Sequence, residues 1–165
     1  MKIVYAQEDL DYSKPSIFLA GPTPRSEDVK SWRPEMLAKI EAEYGDKFTC
    51  FIPEMRNGWT DDFEYHEQID WESHALESSD IIVFWIPRNM KDMPALTTNV
   101  EFGYWLAKDP YKMVVGIPEG AERMRYIQRL LEEHGVEEQT TMDEVVEFID
   151  IIKVNEHDDF TGWVS

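Results

Sequence analysis

Six apolar residues in unbroken succession, Ile81-Ile82-Val83-Phe84-Trp85-Ile86, constrain this chain more than any other stretch. A strand with one wet face alternates apolar and polar residues; a strand covered on both faces does not. The run therefore reads as a buried strand of a parallel sheet. Shorter runs of the same kind recur along the chain. Ile17-Phe18-Leu19-Ala20 ends in the turn Gly21-Pro22, residues 48–52 are closed by Pro53, and residues 113–117 by Pro118. Residues 2–6 read as a short edge strand and residues 136–139 as a last short one.

Helical spacing fills the intervals. A helix begins near Ser31 or Trp32, with Pro34 tolerated in its first turn. Trp32, Met36, Leu37, Ile40 and Tyr44 lie along it, and Gly45 stops it. Residues 63–79 form a second helix with Ile69, Ala75 and Leu76 turned inward. Residues 99–108 form a third, and residues 122–134, stopped by Gly135, a fourth. In the last, residues 141–153, Met142, Val145, Val146, Ile149 and Ile152 share one side. The tail, residues 154–165, is acidic and carries Phe160 and Trp163. Strands alternating with amphipathic helices specify an α/β fold. With right-handed crossovers this is a flavodoxin-like, doubly wound, mostly parallel five-stranded sheet with helices on both faces. The length of 165 residues suits a single domain over residues 1–165.

The formal net charge of -18 repels phosphate backbones and anionic bilayers. Polymeric nucleic acid and membranes are therefore not expected partners, whereas a small nucleoside or nucleotide in a local pocket is compatible. Cys50 is the only cysteine, so no intrachain disulfide is available. No apolar run approaches the about 18 residues of a spanning helix, and the N-terminus lacks the apolar core of a signal peptide. A cytoplasmic protein is expected. His66, His74, His134 and His157 have no metal-ligand spacing, and no metal is expected. Gly21-Pro22 lacks the further glycines of a phosphate-binding loop, which argues against a dinucleotide site or a P-loop, and no cofactor is expected.

In such a sheet, ligands bind beyond the C-terminal ends of the strands. The segment Thr97-Thr98-Asn99-Val100-Glu101-Phe102-Gly103 follows the most apolar strand and opens a helix there. Glu101 is a candidate for chemistry. The same residues also fit a capping box, with Glu101 folding back onto Thr98. The preceding helix carries Asp70, Trp71 and Glu72. Two carboxylates across a cleft suit cleavage of a glycosidic bond: one attacks or stabilises the anomeric carbon, and the other gives a proton to the leaving group. Plainer readings stand beside these. Asp70 and Glu72 also fit a solvated helix face, and Trp71 the core. Arg25 and Arg33 fit a sugar hydroxyl or 5'-phosphate, or local pairs with Glu27, Asp28 or Glu35. Trp59 is a stacking candidate on a loop.

Taken in order, Ile17-Phe18-Leu19-Ala20-Gly21-Pro22, Arg25, Ser31-Trp32-Arg33, Trp71-Glu72, Ser79-Asp80 with the strand to Pro87, and Thr98-Asn99-Val100-Glu101-Phe102-Gly103 resemble the nucleoside 2-deoxyribosyltransferase-like family. The resemblance runs from about residue 17 to residue 118. It implies a flavodoxin-like homo-oligomer that cleaves the N-glycosidic bond of a 2'-deoxynucleoside by a retaining double displacement. A glycosyl-Glu intermediate forms, and a free nucleobase or water takes the sugar. Glu101 stands at the nucleophile's position and Glu72 at that of an acid facing the base. By the same resemblance Asn99 helps shape the sugar site and Gly21 forms its floor. Asp92 is the nearest match to a second acid contacting the base. Where some members have a tyrosine, this chain has Thr23 and Pro24. Two rival functions remain. One is a 5'-nucleotide N-glycosidase with Arg25, Ser26 and Arg33 seating the phosphate. The other is a catalytically silent nucleotide-binding module, in which the acids do not converge.

Overall fold

The computed structural model describes residues 1–26, 28–58 and 65–158, with 151–158 described as backbone only. The expectations for Glu27, Trp59, the helix start at Phe63, Phe160 and Trp163, and for the Ile152 and His157 side chains, fall outside what is described. Six strands form one sheet: β1 (Lys2–Tyr5), β2 (Ser16–Ala20), β3 (Thr49–Ile52), β4 (Ile81–Trp85), β5 (Met113–Gly116) and β6 (Glu138–Gln139). They are joined through α1 (Arg33–Tyr44), α2 (Tyr65–Ser78), α3 (Leu96–Lys108), a single 3₁₀ turn (Pro110–Lys112), α4 (Arg125–His134) and α5 (Met142–Asp158). The strand order is β1-β3-β2-β4-β5-β6 and every pairing is parallel.

The expected count of five strands is corrected to six. β1 is a full member, in register with β3 from Lys2↔Thr49 to Tyr5↔Ile52. From β2 the chain moves to β3 on one side, then crosses back to β4 on the other. The strand order thus reverses between β2 and β4. In doubly wound sheets the crevice at that point, past the strand C-termini, takes the ligand.

Alternate strand residues feed two cores, as period-two side-chain geometry requires. Phe18, Ile82, Phe84 and Val115 pack with Leu76 of α2, Phe102 and Trp105 of α3, and Ile127 and Leu131 of α4. Ile17, Leu19, Val83 and Val114 pack with Met36 and Ile40 of α1 and Val145 and Ile149 of α5. The central strands β2, β3, β4 and β5 are buried throughout, which is why their sequences are apolar without alternation.

Three helix expectations change. α3 begins at Leu96, not residue 99: after Pro94, Ala95 adopts a left-handed conformation (φ 58) that turns the chain directly into the helix. α4 begins at Arg125, not residue 122. α5 runs to Asp158 rather than ending at Lys153, because neither Gly nor Pro stops it. Ile69, expected inward, is 41% exposed.

Candidate active site

The early start of α3 removes the capping box. Its N-cap is Ala95, with no side-chain cap, and Thr98 lies buried inside the helix. Glu101 stands in the second turn, one side of it facing the crevice between α2 and α3.

Two cavities open at this edge and share Thr23, Pro53, Glu72, Thr97 and Glu101. The larger, about 640 Å³, is walled by Tyr65, Ile69, Leu76 and Val100. The smaller, about 260 Å³, is bounded by Gly21, Pro22, Arg25 and the start of α3 from Pro94 to Leu96. Glu72 and Glu101 sit where the two meet. A still larger open depression, about 1080 Å³, lies beyond β5 and β6, and neither acid lines it.

Both carboxyls are held above the ordinary carboxylate range. Glu101 is raised to about 7, first by burial and then by the charge of Glu72, with Arg33 opposing. Glu72 is raised by burial, opposed by a hydrogen bond from Gln68 Nε2 to its Oε1 (2.5 Å) and by Arg33. Desolvation favours the neutral acid, and a second carboxylate nearby disfavours a second charge. Such a pair titrates as a unit, and one proton stays on the two carboxyls until pH passes about 7. An acid pair sharing a proton can supply one group to attack and one to protonate.

Gly21 closes the floor. Its φ is +145, and an added Cβ would lie 2.1 Å from Trp85 O and 2.8 Å from the Trp32 ring. Only glycine lets the turn after β2 press against the end of β4. Trp32 Nε1 donates to Pro22 O (3.0 Å) and Arg33 Nη1 to Thr23 Oγ1 (3.1 Å), so the first residues of α1 pin this turn.

The other candidate residues lie elsewhere. Asp70 and Trp71 line a separate surface cavity with Glu8, Leu10 and Tyr12. Trp71 Nε1 donates to Glu8 O (2.8 Å), and its ring leans on Phe18. Asp92 and Asn99 line neither active-edge cavity. Asp92 O accepts from Arg25 N (3.0 Å), bracing the loop, and Asn99 Oδ1 accepts from Arg88 Nη2. Among the described residues, no three His, Cys, Asp or Glu side chains are placed to hold a metal ion. No described helix is long and apolar enough to cross a membrane.

The family model described as nucleoside 2-deoxyribosyltransferase like matches residues 14–121, from the approach to β2 to the turn beyond β5. The chain belongs to that family. Comparison with curated proteins returns no match. Membership in the nucleoside 2-deoxyribosyltransferase-like family implies a glycosyltransferase-like enzyme that handles small nucleosides.

Several residues of this family member's site were not singled out from sequence. Gln68 sits one helical turn before Glu72, and that (i, i+4) spacing was the available signal. Tyr65, Ile69 and Val100 wall the larger cavity, but apolar helix positions read as core until the neighbouring helix is placed. Glu54 directly follows Pro53 at the end of β3, which puts it on the ligand-binding edge. Its partner, Arg33, could be found only from the folded chain.

Proposed function

We propose that the protein cleaves the N-glycosidic bond of 2'-deoxynucleosides by a retaining double displacement. The observation that supports this most is the place of Glu72 and Glu101, at the junction of an apolar lobe and a smaller, more polar one. A flat base suits the lobe of Tyr65, Ile69, Leu76 and Val100. The sugar then lies over Gly21 and Thr23, with its anomeric carbon between the acids.

In this reading the ionised Glu101 carboxylate attacks the anomeric carbon as the bond to the base nitrogen breaks. The electron pair leaves with the base, and Glu72 supplies the proton. Glu101 then carries the sugar as an ester. A second base or water attacks the same carbon, and the pair returns to its starting charge. The silent-module alternative requires acids that do not converge, and the shared cavity speaks against it. Incubation with a panel of 2'-deoxynucleosides, with and without a second free base, tests the reading. Release of free base or an exchanged nucleoside is expected, and neither appearing for any donor excludes it.

A 5'-monophosphate as substrate is the second reading. One observation favours it: Arg25 lines the smaller lobe beside the uncapped start of α3, where backbone N–H groups lack side-chain partners. Arg33 no longer belongs to that phosphate seat, because it is wholly buried. A higher kcat/KM for nucleoside monophosphates than for nucleosides, lost in Arg25→Ala, is the expected result for this reading.

Turnover needs Glu101 ionised and Glu72 protonated, which is the singly protonated pair, so kcat/KM is expected to fall as pH rises through about 7, where the pair loses its remaining proton. Glu72→Gln removes the negative charge that raises Glu101. With that charge and the Glu72 proton both gone, the residual kcat/KM of the variant should rise to a plateau below pH 7 and show no fall above it. A fall through pH 7 that persists in Glu72→Gln contradicts the coupling of the two carboxyls.

We also place the protein in the cytoplasm as one domain that works as a homo-oligomer. Leu96, Val100 and Tyr104 form an exposed apolar stripe on α3, beside exposed Tyr65 and Ile69 of α2. Sedimentation should show more than one subunit, and Val100→Glu should shift it toward the monomer.

A further inference from the structure

Arg33 is the largest wholly buried side chain among the described residues, and it comes from the opposite face of the sheet to the cavity. It is the first residue of α1, and its guanidinium reaches across the C-terminal end of β2. Nε donates to Leu19 O (3.1 Å), Nη2 to Gly21 O (2.7 Å), and Nη1 to Thr23 Oγ1 (3.1 Å) and Glu54 Oε1 (2.5 Å). Ser31 Oγ donates to the same Glu54 oxygen (2.7 Å). Every acceptor is the end of a strand or the turn that follows one.

We propose that Arg33 is a positioning residue for the site, binding the turn after β2 to the end of β3 so that the Thr23 hydroxyl and the floor at Gly21 hold one geometry beneath Glu72 and Glu101. This inference rests on the reading of those two carboxylates given above. The planar fork is what the task requires, since four oxygens in different directions cannot be met by a point-charge ammonium. The contact with Thr23 also orients that residue. Its oxygen accepts from Arg33, so its own proton points away from Arg33. Thr23 lines both cavities, and its proton is available there to the substrate or to Glu101.

Arg33 also acts at a distance. Its charge opposes the rise of both Glu101 and Glu72, while Glu54 is the strongest influence sustaining the charge of Arg33 against burial. Among the described residues, the charged groups bearing on Glu101 are Glu72 from α2 and Arg33 from α1. Arg25, from the loop after β2, lines the same small cavity, and Glu54, beyond β3, acts through Arg33.

Titration of the Glu101 carboxyl carbon by NMR, assigned with Glu101→Gln, separates this role from simple structural support. Arg33→Met should raise the Glu101 midpoint. Glu54→Gln should lower it, because the charge of Arg33 is then less neutralised. Arg33→Lys keeps the charge and loses the fork. It should leave the midpoint near its original place and cut kcat by about 10²-fold with a smaller change in KM. Midpoints that stay put in both Arg33→Met and Glu54→Gln, or wild-type kcat in Arg33→Lys, overturn the proposal. If Arg33→Met shows no cooperative melt, Glu54→Gln and Arg33→Lys decide it. Failure of the unsubstituted protein to cleave any nucleoside would refute the proposed function, and the titrations would still decide the role of Arg33.

Discussion

Glu101→Ala is expected to lower turnover of a 2'-deoxynucleoside at least ~10³-fold, about 4 kcal/mol of transition-state stabilisation. In the proposed double displacement the loss should fall on kcat, since the ester to C1' would exist only along the reaction path and not in the bound substrate. The fold should survive, because Glu101 faces the cavity and α3 has no side-chain cap to lose among the described residues. Stability should in fact improve. The Glu101 carboxyl, raised to about 7 in the folded chain, sits near its ordinary 4.5 once unfolded. Between those values the folded state binds the proton that the unfolded state releases, so the favourable contribution is complete below about 4.5 and is lost as pH rises through about 7. The full shift corresponds to roughly 3 kcal/mol. Glu101→Gln, neutral at every pH, should therefore melt higher than the wild type at pH 8 and much closer to it at pH 4. Equal melting at both pH values contradicts the burial assigned to Glu101.

Gly21→Ala should give the other large effect, and on stability first. The new methyl would meet the Trp85 carbonyl oxygen at 2.1 Å, a backbone atom at the end of the central strand, and the φ of +145 is itself strained for alanine. Flexible side chains can yield to such a contact, but this strand end cannot move without disturbing the turn and the neighbouring strands. A loss on the order of 3 kcal/mol or more is expected, lowering Tm by roughly 10 °C for a chain of this size. Catalysis should fall further than stability explains, because the same turn carries Thr23 into the cavity. A variant that melts and turns over like the wild type would show that the turn after β2 does not press on β4.

The legible and illegible parts of this chain divide along physical lines. Strands buried on both faces are written as plain apolar runs, so β2, β3, β4 and β5 could be read from residues alone. So could the covering of both sheet faces. β1 was visible as a strand yet left out of the count, because an edge strand of mixed polarity carries a weak signal. Glu72 and Glu101 could be placed on the right edge by topology, since strand C-termini share one side. Asp70 and Trp71, next in sequence to Glu72, face a different cavity because adjacent helix positions point about 100° apart. Asn99, two residues before Glu101, diverges for the same reason. The start of α3 was misplaced because a left-handed alanine leaves no mark in sequence. From sequence, Arg33 reads equally as a sugar or phosphate ligand and as the partner of a local acid. Its true partners are carbonyls and a carboxylate that only the closed sheet brings within reach.

The central claim is that Glu101 carries the sugar. Acid quenching of the protein during turnover of a 2'-deoxynucleoside, followed by peptide mass spectrometry, tests it most directly. A deoxyribosyl adduct is expected on the peptide containing Glu101, at that residue, absent from Glu101→Gln and discharged when a free base is added before the quench. Sustained release of base with no adduct on Glu101, and with turnover preserved in Glu101→Gln, would contradict it.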